Sequence, residues 1–322
     1  MEKKAWEGFK WAEMVAKQPK NPTMDKPLII TVCPVGGTIT RRQNPYQPYS
    51  AKEIAEQVIE SYQEGASVAH LHTRNEDGTM GAPREVLKEC IDMILDQCPD
   101  MIMQPSSCES YVPGSTHYSY ESVKPLVEEL FSGERKYMES TVFTPVSYAA
   151  ETMDGKVELS IATETNTVKT VQYLQEHKIK PDFMNHNWEG IMNVKEWLIK
   201  PGILDKPYLM SMGPGMHNAA ETYPDPWGYL YVLGMMKMMP EDSVIGISAG
   251  GRNWLAISTF AILMGVDVVR VGMEDHIWMY PHRDEKIKRS ADATRKIANI
   301  ARELGREIAT PSQARKIMGI YT

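Results

Sequence analysis

The chain has 322 residues, with 35 basic against 42 acidic side chains and a net charge of -7. No Lys/Arg block rises out of that acidic background, which argues against nucleic acid or an anionic membrane as a partner. The four cysteines, Cys33, Cys90, Cys98 and Cys108, contain no Cys-x-x-Cys pair and are too sparse for a disulfide framework, so they read as free thiols in a reducing, cytoplasmic compartment.

Residues 1–26 read as a helical arm in which Trp6, Phe9, Trp11 and Met14 alternate with charged side chains. The arm lacks the continuous apolar core of a signal peptide, and nowhere does the chain hold eighteen uninterrupted apolar residues, the length a membrane-crossing helix needs. Its aromatic residues are expected to pack on a barrel or on a neighbouring subunit.

After a connector from Gln18 to Lys26, Leu28 to Val35 is a near-continuous apolar run, the pattern of a parallel strand buried on both faces. Ser50 and Glu53 form a capping box, and Ile54, Val58, Ile59 and Tyr62 follow at helical spacing until Gly65. The alternation continues with a strand Val68 to Thr73, a helix Pro83 to Gln97, a strand Met101 to Pro105, a helix Val123 to Phe131 and a strand Tyr137 to Phe143. The second half repeats it: helix Thr167 to His177, strand near Phe183, helix Val194 to Ile199, strand Tyr208 to Met212, helix Tyr229 to Met239 and strand Val244 to Ser248. A helix Trp254 to Met264, a strand Val266 to Val271 and a helix Ala291 to Leu304 complete the series. Eight strands alternating with eight helices define an α/β fold, a (β/α)8 TIM barrel over residues 27–322 as one catalytic domain. A last short helix is announced by Thr310 as N-cap and Pro311 at its first position. A doubly wound sheet is disfavoured, because the turn after the first strand reads Pro34-Val35-Gly36-Gly37-Thr38 and not Gly-x-Gly-x-x-Gly.

Barrel enzymes place their chemistry at the carboxyl ends of the strands. Strand two ends His70-Leu71-His72-Thr73-Arg74, and residues two apart in a strand leave the same face. His70 and His72 are therefore either two metal ligands or two hydrogen-bonded histidines at a strand end. Strand eight ends Arg270-Val271-Gly272-Met273-Glu274-Asp275, where Arg270 and Glu274 share one parity. Strands two and eight are both even, so Glu274 can join His70 and His72 around one zinc ion and leave an open position. Arg270, pointing inward, needs a partner, and Asp275 supplies one, either as a structural ion pair or as a general base oriented by the guanidinium. Ser106 and Ser107 after strand three and Ser140 in strand four can hydrogen-bond a substrate carboxylate. Gly250 and Gly251 after strand seven are tight-turn glycines or a phosphate cradle for the cofactor.

The motifs His70-Leu71-His72-Thr73-Arg74 and Arg270-Val271-Gly272-Met273-Glu274-Asp275, with Gly65-Ala66-Ser67-Val68 and Ala309-Thr310-Pro311-Ser312-Gln313-Ala314-Arg315, resemble the zinc-dependent β-keto acid cleavage enzymes from about Pro27 onward. The resemblance implies zinc on His70, His72 and Glu274, with Asp275 and Arg270 as base and orienting group. It places Ser106 and Ser140 on the substrate carboxylate, Ser140 standing where a threonine is common. The implied reaction takes a β-keto acid and acetyl-CoA to acetoacetate and a new acyl-CoA, in a homo-oligomer, a tetramer. Three departures bear on the substrate. Thr38 replaces a substrate-contacting glutamate, Met184 replaces a second acid after strand five, and the loop running to Glu109 lacks the paired glycines. An amino-substituted keto acid is therefore not expected. Two histidines and a carboxylate also build zinc hydrolases and aldolases, and a non-catalytic zinc- or keto-acid-binding barrel is the remaining alternative.

Overall fold

A computed structural model describes residues 6–80, 84–107, 118–130, 136–151, 153, 155, 157–215 and 226–321. The arm holds a short helix, α1 (Lys10–Ala16), and a 3-10 turn at Pro22–Met24, before the first strand, β1 (Ile29–Val32). There follow α2 (Ala51–Gln63), β2 (Val68–Leu71), α3 (Arg84–Gln97), β3 (Ile102–Pro105), α4 (Tyr120–Leu130) and β4 (Ser140–Phe143). A hairpin, β5 (Tyr148–Glu151) with β6 (Val157–Ser160), then interrupts the alternation. It resumes with α5 (Glu164–Glu176), β7 (Lys180–Asn185), α6 (Trp188–Val194), β8 (Tyr208–Met212), α7 (Pro226–Met238) and β9 (Ser243–Ile247). The chain closes with α8 (Trp254–Met264), β10 (Val268–Val271), α9 (Ser290–Glu303) and α10 (Pro311–Met318).

Eight parallel strands, in the order β3-β2-β1-β10-β9-β8-β7-β4, form a nearly closed barrel with helices between them, a (β/α)8 TIM barrel. The seam is bridged where the Glu139 N–H donates to the Met103 carbonyl at 2.9 Å and Thr141 Oγ1 to the Pro105 carbonyl at 2.8 Å. The predicted capping boxes form: Ser50 Oγ accepts the Glu53 N–H at 3.2 Å while Glu53 Oε2 accepts the Ser50 N–H at 2.9 Å, and Thr310 and Gln313 repeat the exchange at α10. Each satisfies two otherwise orphaned backbone donors. The hairpin β5–β6 is absent from the sequence-based series, although two short runs flank Asp154-Gly155, a hairpin signal. The helix expected at Val194 to Ile199 starts earlier, at Trp188, and widens into a π turn at Lys195–Ile199.

The interior is layered, and the layering positions the site. Ile29, Val68, Ile102, Leu209, Val244 and Val268 form an apolar floor, packed against Ala314 and Met318 of α10, which corks the amino-terminal end. Two residues further along, β1, β2, β3, β8 and β10 turn polar with Thr31, His70, Gln104, Ser211 and Arg270, and Asp182 of β7 joins them; all are buried. Gln104 Nε2 donates to Ser140 Oγ (3.1 Å) and to Asp182 Oδ2 (3.3 Å), and Ser211 Oγ to Asp182 Oδ1 (2.8 Å), so these side chains satisfy one another. Apolar packing holds the closed end, and hydrogen-bonding groups accumulate toward the open one. No helix among the described residues is long and apolar enough to cross a membrane. Cys33, Cys90 and Cys98 are buried and form no disulfide; Cys108 lies outside the described residues.

Candidate active site

His70 lies in β2 and His72 just beyond it, and the alternation of the strand brings both rings to the barrel interior. Their Nε2 atoms stand 3.2 Å apart. Glu274, past the end of β10, faces both: Oε2 is 3.6 Å from His70 Nε2 and Oε1 is 3.6 Å from His72 Nε2. This approach depends on Gly36, where a Cβ would sit 2.1 Å from Glu274 Cγ. Arg74, the last residue of the strand-two motif, is buried and donates to the carbonyls of Gly36, Ile39 (2.8 Å) and Gly78 (2.5 Å), tying the first loop to the second.

Burial, only partly opposed by the Glu274 charge, drops the His70 pKa well below the ordinary imidazole value, which leaves a neutral ring with a lone pair to offer. Burial pushes Glu274 upward, but the Arg270 guanidinium and the two imidazoles outweigh it and hold the carboxyl below its usual range. Glu274 Oε2 is buried without a hydrogen-bond partner. Two nitrogens each bound at 2.0–2.1 Å to a tetrahedral ion stand about 3.4 Å apart, so the spacing, the neutral His70 ring and the orphaned carboxylate oxygen fit a divalent cation better than a hydrogen-bonded histidine pair.

Beside this triad Arg270 grips Asp275 with both edges of its guanidinium, Nη2 to Oδ1 at 2.5 Å and Nε to Oδ2 at 3.0 Å, and reaches Glu274 Oε1 at 3.1 Å. Asp275 Oδ2 also accepts from Ser248 Oγ (2.5 Å) and Cys33 Sγ (3.1 Å). Burial, assisted by the Glu274 charge and opposed by Arg270, raises the Asp275 pKa. The result is a carboxylate fixed in orientation and more basic than in water, with Oδ1 holding a single hydrogen bond. The sequence reading assigns neither Ser248 nor Cys33 to the site. Their signal is position, since each lies just past the carboxyl end of a barrel strand.

The remaining predicted residues divide. Ser106 is buried just past β3, on the inward parity of Ile102 and Gln104, at the carboxyl end of the strand. Ser107 instead donates to the Val142 carbonyl at 2.6 Å. Ser140 opens β4, a layer below the mouth, and its Oγ bonds the Lys180 carbonyl (2.8 Å) and Gln104. The residue that continues its alternation to the strand end is Thr144, buried, with an Oγ1 that has no hydrogen-bond partner. Gly250 and Gly251 do not offer a phosphate cradle either, because their N–H groups already donate to the carbonyls of Pro214 (2.8 Å) and Asp275 (3.1 Å). Gly251 thereby braces Asp275. Thr38 is exposed in the loop after β1, and Glu109 lies outside the described residues. On the opposite wall, past β7, His186 is buried, its ring 6.3 Å from that of Tyr148 in the hairpin, with its carbonyl held by Tyr231 Oη at 2.8 Å.

Two histidines and a glutamate converge at the open end of the barrel, close enough together to be candidate ligands of one cation, with an arginine-held aspartate beside them: a candidate metal centre on a β/α barrel. The sequence places it more narrowly: residues 27–320 match the β-keto acid cleavage enzymes, and the chain belongs to that family. The chain is 30% identical over 306 residues to a 3-keto-5-aminohexanoate cleavage enzyme of Fusobacterium nucleatum, an alignment covering 92% of this chain and 99% of that one. It is 24% identical over 306 residues to a 3,5-dioxohexanoate:acetyl-CoA acetone transferase of Paraburkholderia graminis, covering 90% and 95%. Among solved structures, the ternary complex of ObcA with a C4-CoA adduct and oxalate superposes with a TM-score of 0.68 at 18% identity, covering 86% of this chain and 68% of that one, and bears on the fold alone.

Proposed function

We propose that this protein is a zinc-dependent β-keto acid cleavage enzyme that condenses a β-keto acid with acetyl-CoA and releases acetoacetate and a new acyl-CoA. The observation that carries the reading is the pairing of the His70–His72–Glu274 triad with Asp275 clamped by Arg270, since one acidifies a carbon next to a carbonyl and the other removes its proton. His70, His72 and Glu274 would hold the ion, which supplies a Lewis acid for the substrate keto oxygen when bound. Asp275 Oδ1 takes the proton from the carbon between keto group and carboxylate. The resulting carbanion attacks the acetyl thioester carbonyl, and the CoA thiolate leaves. That thiolate then attacks the original keto carbon, the carbon–carbon bond breaks, and Asp275 returns its proton to acetoacetate. Arg270 keeps the carboxylate aimed and balances its charge in both directions, while Ser106 and Thr144 hold the keto acid's carboxylate. The relatives' names support acetyl-CoA as co-substrate and show that the keto acid varies between them.

The acid is not an amino-substituted one, because Thr38 and Met184 stand where a cationic group would need carboxylates. The protein acts as a soluble, cytoplasmic homo-oligomer. The test is acetoacetate production by zinc-loaded protein from acetyl-CoA and a panel of neutral, cationic and anionic β-keto acids, with His72→Ala as control. Acetoacetate that requires acetyl-CoA, His72 and one panel member supports the reading. Turnover without acetyl-CoA, or silence with stoichiometric zinc, refutes it in favour of a hydrolase, an aldolase or a binding protein.

A further inference from the structure

The outer helices of a soluble barrel bury one face and present charges on the other. α2 and α9 do so, with Lys52, Glu56 and Glu60 on one and Asp292, Arg295 and Arg302 on the other. α8 has no charged residue in its eleven positions, and the sole charge of α7 is Lys237. These two helices are adjacent, Tyr229 against Phe260 with ring centroids 5.0 Å apart. Their outward residues Leu230, Leu263 and Met264 are 53%, 43% and 40% exposed. A helix that is apolar all round is ordinarily a covered helix.

The second observation is the arm. α1 buries none of its residues, and Trp6, Phe9, Trp11, Met14 and Val15 are all exposed. Trp11, Met14 and Val15 sit at i, i+3 and i+4 on one side of the helix, while Glu13 and Lys17 pair at 3.3 Å elsewhere on it. Seven residues are too few to hold a helix in water without tertiary support. The third is where the arm is rooted: Thr23 packs against Gly265, the residue that ends α8, so the arm leaves the barrel beside Leu263 and Met264.

We propose that the arm covers the α7–α8 face of a second copy of this chain, each arm crossing a two-fold axis that passes beside the C-terminal ends of the two α8 helices. Arm and face come from the same chain, are both apolar and lie side by side, which is the self-complementarity a two-fold contact requires. The five exposed arm side chains offer roughly 700 Å² of apolar surface by ordinary side-chain areas, close to the ~800 Å² per partner of a stable interface before the barrel faces are counted.

The experiment is disulfide trapping in the full-length protein with Trp11→Cys and Leu263→Cys combined, each single variant serving as control for the native thiols. Oxidation is expected to give a covalent species of twice the chain mass that neither single variant gives. A disulfide within one chain, at unit mass, shows the arm on its own barrel and overturns the proposal, as does the absence of any disulfide between these positions. In parallel, the double substitution Leu263→Glu with Met264→Glu is expected to weaken self-association at least tenfold in sedimentation while leaving the circular dichroism spectrum intact. An unchanged sedimentation mass, or a wild-type protein that is monomeric at micromolar concentration, refutes it.

Discussion

Gly36→Ala tests whether Glu274 is held in place by the loop after β1. A Cβ on residue 36 would lie 2.1 Å from Glu274 Cγ and 2.8 Å from its Cδ. Ordinary contact between such carbons begins near 3.5 Å, so the overlap exceeds an ångström and cannot be absorbed by thermal motion. The loop cannot retreat cheaply, because Arg74 donates to the carbonyls of Gly36 and Ile39 from a buried position. Glu274 is the softer partner, and swinging away gives up its 3.1 Å bond to Arg270 as well as the 3.6 Å approach to both histidines. Overpacking of this kind costs about 1–3 kcal/mol of stability, and losing the carboxylate from the ligand set weakens cation affinity by at least the 10–100-fold seen when only an outer-shell partner is removed. The assay is zinc titration against a competing chelator, with the thermal melt recorded on the same samples. A folded Gly36→Ala protein that binds zinc as tightly as wild type would refute the assignment of Glu274 as a ligand.

Asp275→Asn is expected to leave zinc binding intact and to lower kcat by about 10²–10⁴-fold, the range for loss of a general base; substantial residual turnover would move the base elsewhere. Thr144→Val should raise KM for the keto acid by roughly tenfold or more by leaving its carboxylate short of a donor, whereas Ser140→Ala should act on melting temperature and not on KM; the reverse pattern would restore the sequence-based placement. Lys180, buried on the barrel floor with Nζ donating to the Asp205 carbonyl at 3.0 Å, has its pKa pushed down by burial to about 8. Between that value and its unfolded value near 10.5 the unfolded chain binds more protons. Stability therefore rises with pH across the window, and wild type gains on Lys180→Met from pH 8 to 10.5. Denaturant melts at both ends of the range that show a constant difference would refute the burial argument.

Much of this was legible in the chain because strand and helix periodicities differ. The apolar run at Leu28 to Val35, the capping boxes at Ser50 and Thr310 and the eightfold alternation fixed the barrel before any distance was known. Parity on strands two and eight brought His70, His72 and Glu274 together, as found. Parity groups Ser140 with Thr144 on strand four, but only the start of β4 at Ser140 shows that Thr144 is the one at the strand's carboxyl end. A shift of one layer is invisible in a sequence, because inward positions repeat every two residues and carry no height.

Tertiary structure alone decided the rest. That Gly36 makes room for Glu274, that Arg74 ties two loops, and that Cys33 and Ser248 complete the shell of Asp275 are contacts between residues up to 242 positions apart, for which local pattern holds no information. The N–H groups of Gly250 and Gly251 are spent on neighbouring carbonyls for the same reason: hydrogen-bond satisfaction is a property of what packs nearby. The sequence determines which elements form and which faces they share, through propensity and periodicity. Only the folded chain determines which polar groups are left to meet a ligand, because that depends on every partner they have already found.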